Sequence, residues 1–242
     1  MTNLFGEFMG TMMLMVLGCG VVASCLLKKT KSEGSGWMVI TTGWGFGVIM
    51  GVFVAVATGA PQADLNPAVT LAKYLMGGIY TLPQAIMTMF AELAGGIVGA
   101  IIVWLAFLPH WEITEDKATK LAVFCTAPAI RKAPANLLCE IIGTIVLVFG
   151  IFCIFSKSVG AIPAGLGPYL VGVLVWAIGL SLGGPTGYAI NPARDLGPRI
   201  AHAILPVAGK GGSDWGYSWI PVVGPMIGGG IAFVIARAAG IV

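Results

Sequence analysis

The chain has 242 residues, of which 57% are hydrophobic and 10% are charged, and its mean hydropathy is +0.95. Soluble domains carry roughly 25% charged residues, so this composition excludes an ordinary soluble protein and predicts an integral membrane protein. The formal net charge is only +3 and the sequence has no basic stripe, which argues against a nucleic-acid partner.

Six apolar stretches are long enough to cross a bilayer, which takes about 20 residues. They cover residues 4–27, 37–58, 83–108, 135–156, 166–184 and 217–239. No basic region precedes the first stretch, and it continues beyond the length of a signal peptide, so we expect it to be a membrane span. The five cysteines lack C-x-x-C spacing and are expected to be buried free thiols.

Two shorter helices are predicted between spans, each opening with an Asn-Pro-Ala triplet. Asn is a strong N-cap, and Pro fits the first helical position, where an N–H would be unpaired in any case. Both helices end too early to cross about 30 Å of hydrocarbon, near residues 77 and 205. Broken helices at membrane depth are tolerated only where protein or a watery cavity covers them, so the pair predicts a binding or conduction site. The triplets are Asn66, Pro67 and Ala68, and Asn191, Pro192 and Ala193.

An internal repeat is visible at the starts of the first and fourth spans. Residues 3–15 and 136–148 share Asn, Leu, Glu, Gly, Thr and Leu at one fixed offset. Three spans separate the copies, and an odd number inverts the second copy in the membrane. We therefore predict one all-α domain, residues 1–242, built from inverted repeats at about 1–108 and 135–242. The two half-helices enter from opposite faces and meet near the midplane.

Carboxylates inside membrane spans need partners and are candidates for a function. Glu7 and Glu140 occupy equivalent repeat positions, and we expect them to accept hydrogen bonds from backbone N–H groups of the two re-entrant loops. The competing interpretation makes them a proton relay. Glu92 is expected to be a scaffold residue too, and Asp195 is expected to tie down its loop.

The asparagine caps and an arginine are the candidate solute contacts. Each cap spends its oxygen on a backbone N–H, which leaves the NH₂ of Asn66 and of Asn191 free to hold a hydroxyl or water. The alternative is that each Asn-Pro is an ordinary loop cap. Arg194 lies in a first helical turn, where a cation is unfavourable, so we expect it to face the lumen. A structural salt bridge with Asp195 is the alternative.

These features together resemble the aquaporin superfamily, and specifically its glycerol-facilitator branch. The motifs are A-D-L-N-P-A-V-T at 63–70 and G-Y-A-I-N-P-A-R-D-L-G-P at 187–198, and the resemblance covers essentially the whole chain. It implies a right-handed bundle of six transmembrane helices and two re-entrant half-helices. It also implies a homotetramer in membrane lipid, with a pore in each protomer, in a bacterial plasma membrane.

Orientation is predicted in two opposing ways. The resemblance implies cytoplasmic termini. Loops on the side away from the termini hold ten Lys and Arg residues, however, and the terminal side holds three. The positive-inside rule applied to these numbers places the termini outside.

The resemblance assigns the narrowest ring of the pore to Trp44, Gly179, Tyr188 and Arg194. In that assignment the small Gly179 leaves room for a carbon chain, the two aromatic rings form an apolar wall, and the arginine donates to hydroxyl groups. One departure from the family lies at the cytoplasmic mouth. The residue two before the first cap is usually His, and here it is Asp64.

The implied function is passive diffusion of glycerol and other small uncharged solutes, with water, and it needs no cofactor. The final motif also resembles channels of Gram-positive lactic bacteria, so protonated lactic acid and dihydroxyacetone are alternative solutes. A proton-coupled secondary transporter is a further alternative, but the lumen-facing positions hold few titratable groups. The sequence has no nucleotide loop, Ser-His-Asp order or Cys/His cluster, and we therefore expect no enzyme activity and no metal.

Overall fold

The computed structural model describes residues 3–242, and that part of the chain folds into helices without a strand. All six predicted spans and both predicted short helices form, within a few residues of their predicted bounds, so the all-α prediction is confirmed. The helices are α1 (Asn3–Leu26), α2 (Trp37–Ala57), α3 (Pro67–Met76), α4 (Leu82–Ala106), α5 (Leu108–Ile113), α6 (Lys117–Phe124), α7 (Ala133–Ile154), α8 (Leu166–Leu182), α9 (Pro192–Ile204) and α10 (Ile220–Ala238).

Six of these helices are the membrane spans. Helices α1, α2, α4, α7 and α10 have 19 to 25 residues and are apolar enough to cross a membrane. Helix α8 has 17 residues, about 25 Å at 1.5 Å per residue, which is at the short end of the spanning range. Large apolar side chains such as Phe46, Phe90 and Val234 remain exposed on the outer surface. The chain is a multi-pass membrane protein whose outer surface suits lipid.

Glycines set the closest helix crossings. A Cβ on Gly95 of α4 would lie 2.3 Å from the Phe8 carbonyl oxygen of α1, and one on Gly99 would lie 2.6 Å from that of Met12. Gly95 and Gly99 have Gly-x-x-x-Gly spacing, which allows the backbones of α1 and α4 to approach closely. Gly228 of α10 meets a carbonyl of α7 in the same way, at 2.6 Å.

The first turn of each half-helix packs against a glycine of a long helix. A Cβ on Gly96 of α4 would lie 2.7 Å from the Ala193 carbonyl oxygen at the start of α9. A Cβ on Gly229 of α10 would lie 2.6 Å from the Ala68 carbonyl oxygen at the start of α3. Helices α3 and α9 thus each pack against a helix from the other half of the chain, which fixes where their N-termini meet.

The segment between α4 and α7, for which the sequence predicts no helix, contains α5 and α6. Asp116 caps α6 by accepting from the backbone N–H of Ala118 (3.2 Å) and of Thr119 (2.9 Å). Hydrogen bonds from the Thr119 hydroxyl and from these N–H groups hold the pKa of Asp116 below its ordinary value. Helices of six and eight residues show too few turns for periodicity to reveal them.

Several cations that entered the orientation count have structural partners. Lys120 is buried and donates to a loop carbonyl, and Lys210 donates to three carbonyls at the end of α9. Arg199 is fully buried against Asp195, and Arg131 forms an ion pair with Asp214. The two arginines are paired with carboxylates and the two lysines with neutral carbonyls, so all four cations have structural roles in these loops.

Candidate functional site

The two half-helices start with the same cap. The Asn66 side-chain oxygen accepts from the Ala68 N–H at 2.9 Å. The Asn191 oxygen accepts from the Ala193 N–H at 2.9 Å and from the Arg194 N–H at 3.2 Å. A proline follows each asparagine at the first helical position. Both N-termini therefore have ordered donors at their ends, and both helix dipoles point their positive ends at the same place.

The asparagine NH₂ groups link the two halves. Asn66 Nδ2 donates to the Ile190 carbonyl at 2.8 Å, and Asn191 Nδ2 donates to the Leu65 carbonyl at 2.7 Å. An amide has two N–H bonds, so each asparagine keeps one for a solute. From the sequence alone both NH₂ groups were expected to be free, because the acceptor carbonyls of this reciprocal pair carry no sequence signal.

Two buried glutamates hold the backbone just before the caps. The two carboxylate oxygens of Glu7 accept from the N–H groups of Asp64 and Leu65, both at 2.9 Å. Glu140 does the same for the two residues that precede Asn191, at 3.1 and 2.8 Å. Both glutamates are fully buried. Backbone donors in a dry loop need such acceptors, because no water can replace them.

The backbone of both re-entrant loops is strained in the same pattern. Ala63 and Leu65 have φ of 45° and 54°, and Tyr188 and Ile190 have φ of 37° and 43°. A left-handed conformation costs a residue with a side chain roughly 1–2 kcal/mol. Such residues persist where the surroundings determine them, here the carboxylates that take successive N–H groups. The absence of glycine at these positions hid the turns from sequence analysis.

A cavity of about 250 Å³ runs past these groups. Its walls are mostly apolar, and α2 contributes one residue per turn, namely Trp44, Val48, Val52 and Val56. Both capping asparagines line it, as do Tyr188 and Arg194 near one end and Gln62, Asp64 and Lys73 near the other. The cavity thus joins the predicted ring, the caps and the predicted mouth.

Arg194 and Tyr188 present polar atoms without protein partners. The Arg194 guanidinium carbon lies 4.0 Å from the centre of the Trp44 ring, a cation–π contact. Within residues 3–242, neither Arg194 Nη1 nor the Tyr188 hydroxyl has a hydrogen-bond partner, although both atoms are buried. A buried donor without a partner is costly, so both atoms favour a polar solute beside them.

The space beside Gly179 is filled by the protein itself. A Cβ there would lie 2.7 Å from Tyr188 Cζ, and one on Gly183 would lie 2.5 Å from Tyr188 Cδ1. The ring therefore occupies the room that the sequence analysis left for a carbon chain. Trp37, which no motif singled out, donates from Nε1 to the Gly179 carbonyl at 3.0 Å and packs edge-on against Tyr188. Gly179 therefore provides the space that the Tyr188 ring occupies.

Asp195 pairs with Arg199, not with Arg194. Arg199 Nε lies 2.8 Å from Asp195 Oδ1, and the other carboxylate oxygen accepts from the Thr126 N–H at 2.7 Å. Arg199 also donates to carbonyls of residues 126, 213 and 214. This network fastens the loop after α6 and the loop after α9 to the second half-helix, and it leaves the Arg194 guanidinium free of a carboxylate.

Asp64 lines the mouth of the cavity, but its carboxylate is covered by neighbouring side chains. Its side chain is fully buried, and Oδ1 lies 2.5 Å from Lys73 Nζ. Oδ2 accepts from the Tyr80 hydroxyl at 2.8 Å and contacts the Thr70 hydroxyl at 2.9 Å. Lys73 also donates to the Gln62 carbonyl at 2.8 Å. The partly exposed ammonium, not the carboxylate, carries the charge that this end presents.

Known proteins resemble this chain along its full length. The profile of the family described as Major intrinsic protein matches residues 1–235. A glycerol uptake facilitator protein of Streptococcus pneumoniae is 52% identical and aligns over 97% of this chain and 98% of its own. A D/L-lactic acid transporter of Lactiplantibacillus plantarum is 43% identical over 95% and 94%. The X-ray structure of the aquaglyceroporin from Plasmodium falciparum superposes with a TM-score of 0.82 at 27% identity, over 97% of this chain and 94% of that one.

Proposed function

Because this chain belongs to the major intrinsic protein family, we propose that it is a passive membrane channel for glycerol and other small uncharged solutes, with water. One observation carries the proposal. The cavity is lined by Arg194, whose guanidinium stacks on the Trp44 ring, by Tyr188, and by two asparagines with spare N–H groups, and one buried polar atom each of Arg194 and Tyr188 has no partner within residues 3–242. No catalytic step belongs to this function.

The filter suits a solute with one polar and one carbon edge. A polyol that enters the ring turns its carbon edge to Trp44 and Tyr188. Its hydroxyls accept from Arg194, which replaces the hydrogen bonds that they gave up in water. At the midplane the spare N–H groups of Asn66 and Asn191 donate to the hydroxyls of the solute in place of Arg194. Cations meet the guanidinium and the positive ends of α3 and α9, which oppose their passage.

The assembly and the arrangement in the membrane are part of the same proposal. The chain is one channel domain of two inverted repeats, residues 1–108 and 135–242, with both termini in the cytoplasm. Four copies form a homotetramer in the bacterial plasma membrane, each with its own pore. The exposed apolar side chains of the outer helices support this arrangement, because lipid or another copy must cover them.

Protonated lactic acid is the second candidate solute. The Arg194 guanidinium has no carboxylate partner among the described residues, so it is available to an acid group. A lactate anion would have to shed its hydration in an apolar cavity, a cost that the neutral acid avoids. The neutral form is therefore the species that this pore would pass.

Reconstitution into liposomes tests the proposal. We expect stopped-flow measurements to show faster glycerol and water entry than in protein-free liposomes, with a glycerol rate that a protonophore leaves unchanged. A glycerol rate equal to that of protein-free liposomes would contradict it. A rate that follows an imposed proton gradient would favour coupled transport. Lactic acid entry that exceeds the background and rises as the pH falls would show that the channel also passes protonated lactic acid.

A further inference from the structure

The Thr70 hydroxyl lies between two carboxylate side chains. Thr70 Oγ1 is 2.9 Å from Asp64 Oδ2 and 2.8 Å from Glu92 Oε1. A hydroxyl has one hydrogen, so it can donate to only one of these oxygens. Each of these two oxygen–oxygen pairs needs a hydrogen between its atoms, and the hydroxyl supplies only one. The other hydrogen must therefore come from a protonated carboxyl group. We propose that Asp64, Thr70 and Glu92 share one proton, and that protonated Glu92 is a positioning residue for Asn66.

The contacts of the two carboxyl groups place the proton on Glu92. Asp64 faces the Lys73 ammonium at 2.5 Å and accepts from the Tyr80 hydroxyl, an arrangement that suits an anion. Glu92 has no cationic partner, and its Oε2 has no hydrogen-bond partner within residues 3–242. Glu92 is therefore the acid that donates to Thr70, which in turn donates to Asp64.

The surrounding charges oppose ionisation of Glu92. Glu7 of α1 and Asp64 of the re-entrant loop face Glu92, and Lys73 of α3 is the cation of this cluster. Helix α9 also packs on α4, but its Asp195 and Arg199 pair with each other and its Arg194 lies over the Trp44 ring. Glu92 is fully buried, so ionising it would leave a charge without compensation.

Glu92 acts on the cap through the backbone. Its Oε1 accepts from the Asn66 N–H at 3.0 Å, so it holds the residue whose side chain reaches across to the second half-helix. The other half has no counterpart. Glu92 lies three residues before Gly95, and Pro225 lies three residues before Gly228, which makes the equivalent crossing. The proton is thus a feature of the first half-helix alone.

Infrared spectroscopy of the purified protein in an ester-free detergent at neutral pH tests the shared proton. We expect a carbonyl stretching band of a protonated carboxyl group that Glu92→Gln removes and that Asp64→Asn shifts, because Asp64 is the acceptor at the far end of the Thr70 bridge. Glu112→Gln, at an exposed carboxylate, should leave the band unchanged. A band that survives Glu92→Gln, or one that Asp64→Asn leaves unshifted, would overturn the sharing, as would its absence from the unmodified protein.

A second pair of variants covers the case in which a carboxyl variant misfolds. Thr70→Ser keeps the bridging hydroxyl and should keep the band in place, whereas Thr70→Val removes the bridge and should shift it. An unshifted band in Thr70→Val would overturn the geometry.

The positioning role rests on the proposed conduction function, but the infrared test does not. The glycerol permeability of the unmodified channel should fall as the pH rises through the range in which the infrared band disappears, and that of Glu92→Gln should stay constant. A correct infrared result with no pH dependence in the unmodified channel would overturn the positioning role alone. Permeability at the level of protein-free liposomes at every pH would instead overturn the proposed function.

Discussion

Replacing Gly179 with alanine tests how the filter is built. The added Cβ would lie 2.7 Å from Tyr188 Cζ and 2.9 Å from Thr41 Cγ2, whereas ordinary contacts begin at 3.4 Å. The tyrosine ring must move by about 0.7 Å or more. Gly183 and Trp37 limit its retreat on other sides, so we expect the ring to move toward the lumen.

The size of the effect follows from the overlap. Overpacking of this kind costs about 1–3 kcal/mol, and each 1.4 kcal/mol added to a barrier slows passage about tenfold. We expect the glycerol permeability of Gly179→Ala to fall about tenfold and its water permeability to fall less, because water is narrower. Gly179→His should show the same difference more strongly. Stopped-flow light scattering on one vesicle preparation measures both permeabilities.

Two variants give this measurement its controls. Gly230→Ala makes the same substitution in α10, where nothing lies within 4 Å of the new Cβ, and should leave both permeabilities unchanged. Tyr188→Ala removes the ring that is displaced. If the defect acts through the ring, Gly179→Ala should add little to Tyr188→Ala. A full tenfold loss in that background, or equal losses of glycerol and water, would refute the reasoning.

Three further predictions concern the caps and their supports. Asn66→Leu and Asn191→Leu should each abolish most glycerol flux, because each removes a cap worth about 1 kcal/mol and a hydrogen bond between the half-helices. Unchanged flux in correctly assembled protein would contradict the account. Glu7→Gln and Glu140→Gln should reduce the yield of folded protein in size-exclusion chromatography more than they change solute ranking; normal assembly together with a new proton current would favour the relay instead. Asp64→His should shift the pH dependence of flux toward the histidine range near pH 6.5, whereas flat profiles in both proteins would show that the position does not affect conduction.

The helices could be predicted because their signals are local. Six apolar runs of spanning length and two Asn-Pro-Ala caps are read directly from consecutive residues, and their bounds agree with the structure within a few residues. The crossing at Gly95 has a local signal too, since Gly-x-x-x-Gly spacing lies on one helix face. Helices α5 and α6 were missed because so few turns give no periodic pattern.

The finer geometry of the site depends on contacts between distant segments. The link from Asn66 to the Ile190 carbonyl uses a backbone acceptor, and every residue has one. The space beside Gly179 looks open in sequence, because only the fold brings Tyr188 into it. In the same way, the sequence shows Asp64 as a departure from the family, but not that Lys73, nine residues later, pairs with it.

Chemical blockade of the cavity tests most directly the central claim that the solute passes between the two half-helices. Val52 lines the cavity, whereas Met50, on the same helix, is exposed on the outer surface. A small methanethiosulfonate reagent should stop glycerol flux through Val52→Cys, and a reductant should restore it. Met50→Cys and the unmodified protein, whose own cysteines are buried or partly buried, should keep their flux. Undiminished flux through fully labelled Val52→Cys would contradict the account.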